Sequence, residues 1–290
     1  MILYFLSFNG QEKGLHMLAD ILEKIDNLPP LPQTITEIEE FRKRADKDAD
    51  DLLKIIEKDA LIISTLLKVS NSAMFGFRTK IETPKRIISL LGINFTIFIA
   101  INETVQNMLK TDLAPYKITN EEFMEASSMS SILANLWLSK VDTELKEDIL
   151  LPALLQEAGK FILSELLIMK NKSTDFINQQ QNDKDIVEIE KEILGTTSSK
   201  VTAEIFKHWK LSDKLIDIIE HVDNIPNCKE EYKKHAQILD VIKTACNPTG
   251  ILSDKNIEKA VKKAKSYNLD TIFLLESIEI LNSRLKNNDS

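Results

Sequence analysis

Cysteine is nearly absent: Cys228 and Cys246 are the only two in 290 residues, and no CxxC pair occurs. The fold is therefore not framed by cysteines, and two lone thiols in a long acidic chain suggest a reducing compartment. A single Cys228–Cys246 disulfide stays open at this level. Glycine is scarce as well, seven in all. Together with long stretches of apolar residues at i, i+3, i+4 spacing, that scarcity points to an almost entirely helical protein. An excess of basic charge is missing. The net charge is −8 and the pI about 5.2, which argues against a general binder of nucleic acid or of anionic membranes. The one basic run, Lys262, Lys263 and Lys265, reads as a solvated helix face. Long hydrophobic runs are missing too. The opening MILYFLSF is too short to span a bilayer and no small-residue cleavage site follows it, so we expect a cytoplasmic protein. There is no G-x-S-x-G elbow, Walker loop, H-E-x-x-H, internal repeat or low-complexity tract.

What is present is a succession of amphipathic segments, with 43% hydrophobic residues to fill a core. Leu15, Leu18, Ile21, Leu22 and Ile25 share a helix face. Leu28-Pro29-Pro30-Leu31-Pro32 then stops that helix and forms a rigid elbow before the next, which carries Ile35, Ile38 and Phe41. The acidic cluster Asp46, Asp48, Asp50 and Asp51 lacks the central glycine of a calcium loop and reads as a helix N-cap, as does Asp59. Thr83-Pro84 opens a helix that Gly92 ends, and Ile93 to Leu109 is apolar enough all round to predict burial. Further helices are expected over 121–140, up to the pair Gln156-Glu157, over 161–169, from Lys184 to Gly195, over 200–210, from Ser212 to Val222, and over 230–246, 254–266 and 270–286. Leu109–Thr119, with Pro115 and Tyr116, reads as a connection between two lobes, and no helix is assigned to the polar stretch Asn171–Asp183.

Two resemblances emerge from these segments. The run LLPALLQEAGKFIL, residues 150–163, resembles the GLLHDIGKL run of HD-superfamily metal-dependent phosphohydrolases, with Gln156-Glu157 where those enzymes carry the His-Asp pair that holds a divalent metal. LPPLPQT, then KDALIISTLLKVSNSAMFG, then IETPKRIISLLG resemble the amino-terminal half of the HDOD family, the HD-related output domains of bacterial signalling proteins. Members share an LPxLP elbow, a D-P-A-L-type helix start, an N-S-A-x-F-G turn and an I-x-S-x-x-x-A-I-x-x-L-G helix. The resemblance covers residues 20–245.

The resemblance implies an all-α fold of two helical lobes, the second HD-like. We expect an N-terminal arm over 1–19, an N-terminal lobe over 20–115, an HD-like lobe over 116–247 and a helical extension over 248–290. It also implies a metal-ligand set, and this chain departs from it. The early His falls on Ala126, the His-Asp pair on Gln156-Glu157 and a downstream His on Ser198. Only His221 and Asp240 match by type, and the usual neighbour of the former falls on Val222. An amide is a poor ligand for a transition metal, and no imidazole replaces those lost. The expectation is therefore no catalysis, no metal and no cofactor. In its place the resemblance implies a signalling module acting through protein contacts; no receiver, kinase or cyclase segment is present, so partners are expected in trans, and the paired aromatics of the NSAMFGF turn make Asn71, Phe75 and Phe77 candidate partner contacts. Two alternatives remain: a residual metal-dependent phosphohydrolase, and a nucleotide receptor using the old cleft.

Overall fold

The computed structural model describes residues 17–44, 46–71, 79–181 and 184–288. Phe75 and Phe77 lie outside these, as do all but the last three residues of the arm expected over 1–19. Among the described residues helices alternate with turns and there is no strand, as the glycine scarcity and the apolar spacing predict.

The chain forms two compact units. The smaller comprises residues 29–108 and the end of the chain from Ile278. It holds α2 (Gln33–Arg42), α3 (Ala49–Ile56), α4 (Ala60–Ser70), α5 (Pro84–Leu91) and α6 (Ile93–Met108). Local sequence sets the helix ends. The Asp48 carboxylate accepts from the N–H groups of Asp50 (2.8 Å) and Asp51 (3.2 Å), so the acidic cluster is a cap. Asp59 does the same for α4, at 2.9 Å from Leu61 N and 3.2 Å from Ile62 N. Thr83 caps α5 with Pro84 as its first residue, and Gly92 ends it at φ 82°, where a side chain would be strained. Asn71 ends α4. Its amide donates to the carbonyls of Leu67 (2.7 Å) and Ile81 (2.8 Å), and its oxygen accepts from Ile81 N–H (2.8 Å). These bonds tie the helix end to the chain ten residues on. Ile35, Ile38, Phe41, Leu52, Ile56, Leu66 and Ile87 are buried. Each such side chain contributes about 1.5–3 kcal/mol of burial. Residues 96–102 of α6 are buried without interruption.

The larger unit comprises residues 17–28 and 109–277. It begins with α1 (17–26), which Lys24 ties to Glu165 (2.6 Å) and Asp20 to Lys170 (2.6 Å). After a 3₁₀ turn at Ala114–Tyr116 come α7 (Asn120–Val141), α8 (Thr143–Leu155), α9 (Gly159–Met169), α10 (Ser173–Gln180), α11 (Ile186–Leu194), α12 (Ser198–His208) and α13 (Asp213–Glu220). Then follow α14 (Glu230–Ala245), α15 (Asp254–Ser266) and α16 (Ile272–Asn288), the last shared with the smaller unit. Thr119 and Glu122 form a reciprocal capping box at the start of α7. Asp142 alone joins α7 to α8, ending one helix and capping the next at Leu145 N (3.0 Å).

The two units meet in sequence at 28/29, 108/109 and 277/278. Helix α1 belongs with the chain after Leu109 because its ion-pair partners lie on and just after α9. The extension after 247 packs on the larger unit: α15 lies on α14, burying Ala260 and Ala264, and Trp137 of α7 donates to the Asp270 carbonyl (3.1 Å). The polar stretch 171–183 contains α10. One apolar residue, Phe176, holds it in place, fully buried and edge-on to the Tyr116 ring at 5.0 Å. Cys228 and Cys246 are free buried thiols, so the disulfide left open above does not form. Burial pushes the Cys246 thiol up to about 12. Among the described residues no single helix is long and apolar enough to cross a membrane.

Candidate functional site

The run at 150–163 forms the centre of the larger unit. Leu154 and Leu155 are 3% and 2% exposed, and the break between α8 and α9 falls on Gln156-Glu157-Ala158. Gly159 opens α9 where α12 crosses it. A Cβ there would lie 2.2 Å from the Ser198 carbonyl oxygen and 2.8 Å from Thr202 N. The missing side chain is what lets the two backbones meet. The Thr202 hydroxyl accepts from Gly159 N–H (2.7 Å) and lies 2.8 and 3.1 Å from the carbonyls of Ser198 and Gln156.

This crossing brings Glu157 and Lys160, three residues apart, to one side of the break. Around them gather side chains from helices far apart in sequence. Lys160 pairs with one oxygen of Glu157. Lys243 of α14 lies 2.8 Å from the other, and also reaches Asp223 (2.9 Å) and the Ser199 hydroxyl (3.1 Å). The Ser198 hydroxyl donates to Glu157 (3.1 Å). Glu190 of α11 accepts from Ser198 N–H (2.7 Å) and from the Tyr116 hydroxyl (3.0 Å), and the Lys160 ammonium sits 5.4 Å from the centre of the Tyr116 ring. Three carboxylates thus surround two ammonium groups, and the side chains of Lys160, Lys243 and Asp223 are 3%, 10% and 4% exposed.

Burial and these charges shift the titrations in different directions. Burial, together with the neighbouring Lys243 charge, brings Lys160 down to about 8 against the pull of Glu190 and Asp223. Burial also raises Glu190, opposed by both lysines. For Asp223 burial acts upward, but the attraction and hydrogen bond of Lys243, with the hydroxyls of Ser199 and Thr197, hold the carboxyl below its ordinary value. Lys243 is raised because Asp223 and Glu190 outweigh its desolvation.

The structure brings some of the six HD-site positions together and separates the rest. Ala126, Gln156 and Glu157 line one cavity of about 10 Å³, and Ser198 contacts Glu157. His221 ends α13 with its Nδ1 3.0 Å from the Asp217 carbonyl. Asp240 turns to α15 and is taken by Lys263 (2.6 Å) and the Tyr267 hydroxyl (2.8 Å). Lys263 is therefore a pairing partner as well as part of a helix face. These positions do not fit a divalent ion. Glu157 is the only carboxylate at the centre among them, and both of its oxygens already serve ammonium groups. Among the described residues no group of three or more His, Cys, Asp and Glu side chains is arranged to hold a metal. Sequence reasoning missed Lys243, Glu190 and Asp223. Asp223 follows the expected position at Val222 by one residue; the other two carry no local signal.

The Gln156 amide is 1% exposed, and neither its nitrogen nor its oxygen finds a protein partner. An unpaired buried amide costs about 1–3 kcal/mol. Gln156→Leu should therefore raise thermal stability slightly, by roughly 1 kcal/mol. A melting curve checks this, and a large loss of stability would show that the amide is bound to something essential.

Comparison with known proteins agrees with this architecture. An all-α fold whose larger unit carries an HD-type run at a helix break defines an HD-like helical protein. The HDOD domain profile matches residues 28–225, and the chain belongs to the HDOD family. It is 27% identical to a virulence factor from Campylobacter jejuni, with a TM-score of 0.54, covering 90% of this chain and 96% of that one. An HDOD domain protein from Geobacter sulfurreducens superposes at a TM-score of 0.69 with 13% identity, covering 96% of each. A Marinobacter aquaeolei protein provisionally named for signal transduction does so at 0.69 with 16% identity, covering 95% of this chain and 63% of that one. At these lower identities the likeness is one of fold. An uncharacterized protein of Treponema pallidum is 26% identical over 239 residues, 77% of this chain; the chain spans only 43% of that relative's length.

Proposed function

We propose that this chain is a non-catalytic signalling module that acts through protein contacts. The observation that carries the reading is the seating of Lys160 and Lys243 on the two oxygens of Glu157. Two fixed ammonium charges do there what a divalent cation does in a metal-dependent phosphohydrolase: they neutralise clustered carboxylates. They cannot activate a water as a Lewis acid. Family membership supports the signalling half of the reading, as does the provisional name of the Marinobacter relative. A residual phosphohydrolase needs room at Gln156-Glu157, and the cavity there is about 10 Å³. That is space for about one water. A receptor would have to use the neighbouring cavity of about 250 Å³ beside Asp223, Asp240 and Lys243. The acidic net charge of −8 favours protein partners over nucleic acid.

The test has two arms. With added manganese, the purified chain should hydrolyse neither cyclic dinucleotides nor nucleotide phosphates, and a pull-down from the native cell should recover a signalling protein. Turnover that Glu157→Ala abolishes would overturn the reading.

A further inference from the structure

A larger cavity, separate from the one at Gln156-Glu157, opens on the larger unit between the 3₁₀ turn, the start of α11 and the start of α15. It measures about 390 Å³, within the range of small-molecule sites. Its described lining carries five lysines, Lys117, Lys160, Lys184, Lys255 and Lys259, against a single carboxylate, Asp185. That carboxylate is engaged in capping α11 at Val187 N (2.8 Å). Lys184 pairs with Glu192 (2.5 Å) and Lys160 with Glu157. Lys117 and Lys259 are exposed, and among the described residues neither makes an ion pair. Such a concentration of positive charge runs against the −8 of the whole chain. With Lys160 and Lys184 paired, Lys117 and Lys259 are the charges the groove holds available for a ligand.

We propose that this groove binds a small polyanion carrying at least two linked phosphate groups. Size and charge call for a compact ligand of several negative charges. The described lining contains no arginine, so the planar two-point recognition suited to carboxylates is missing, whereas lysines act as point charges on phosphate oxygens. The only aromatic in the described lining is Tyr116, whose ring is buried against Phe176 and Lys160. It offers no open face for stacking a base, so the phosphates rather than a nucleoside are what the groove recognises. Lys160 lines the groove and also belongs to the Glu157 cluster, so a bound anion would act on that cluster directly. The proposal goes beyond the signalling reading and does not depend on it.

The experiment uses the full chain and inorganic pyrophosphate, titrated calorimetrically in sodium chloride at about 0.15 M, where the screening length is about 8 Å. The expected result is saturable binding of one pyrophosphate per chain. The double variant Lys117→Gln/Lys259→Gln should weaken it about tenfold or more, since both charges act directly on the ligand. A control double variant, Lys54→Gln/Lys140→Gln, removes the same charge on other surfaces and should bind like the parent. A parallel sedimentation with phosphatidylcholine–phosphatidic acid vesicles separates a lipid headgroup from a free ligand, and no sedimentation is expected. The proposal is overturned by absent or non-saturable pyrophosphate binding, by equal binding in the groove variant, by equal weakening in the control, or by vesicle binding without pyrophosphate binding.

Discussion

Lys243→Met should destabilise the fold by about 3–5 kcal/mol, the cost of breaking a buried ion pair from one side. Among the described residues Lys243 is the ammonium group that reaches both Glu157 and Asp223. Methionine fills much of the same volume, so the loss isolates the charge. Asp223 would be left buried beside Glu190, and Lys160 alone would face three carboxylates. The pH dependence should change with it. The Asp223 carboxyl is held below its ordinary value of 3.8 in the folded chain. Its contribution is then fully present above that pH and is lost as pH falls through the lower folded value. With Lys243 gone, the burial of Asp223 acts unopposed by its main partner, so that acid-side contribution should shrink or reverse. Chemical denaturation of parent and variant across the acid range measures both effects. Equal stabilities at neutral pH would mean that the ammonium is dispensable and the cluster is held by something else.

Gly159→Ala should cost about 3 kcal/mol or more, the upper part of the range for overpacking. A single methyl group would meet a backbone oxygen at 2.2 Å and a backbone nitrogen at 2.8 Å. Neither atom belongs to a side chain that could swing away. Ser198 is further fixed by its bonds to Glu190 and Glu157. The only relief is to move α12 off α9, which also breaks the Thr202 bond to Gly159. A thermal melt of the variant decides the matter. A midpoint equal to that of the parent would show that the crossing is loose and does not set the geometry of the cluster.

Most of the helices and their ends could be read from the sequence, because they depend on neighbours a few residues away. Asp48, Asp59, Thr83 and Thr119 act as caps where a capping residue precedes an apolar run. The burial of Leu154 and Leu155 and the close approach at Gly159 follow from the same local pattern. Helix α10 escaped because STDFINQQ carries too few apolar residues to show a period; it is held by Phe176 against Tyr116, sixty residues earlier in the chain. The placement of α1 with the later chain likewise rests on distant partners, its ion pairs to Glu165 and Lys170. At the site, the departures at Ala126, Gln156 and Ser198 were visible residue by residue. What fills their place was not. Lys243 lies on a helix rich in lysines and reads as a surface charge, Glu190 reads as the polar face of α11, and only the fold brings them to Glu157.

The central claim is that ammonium groups, rather than a metal ion, balance the carboxylates at Glu157. The most direct measurement is the metal content of the chain purified from medium supplemented with manganese, iron and zinc, then dialysed. The account predicts no stoichiometric metal in the parent or in Glu157→Gln, because both oxygens of Glu157 are committed to lysines and the nearest amide is a poor ligand. Near one metal per chain in the parent, lost in Glu157→Gln, would contradict it.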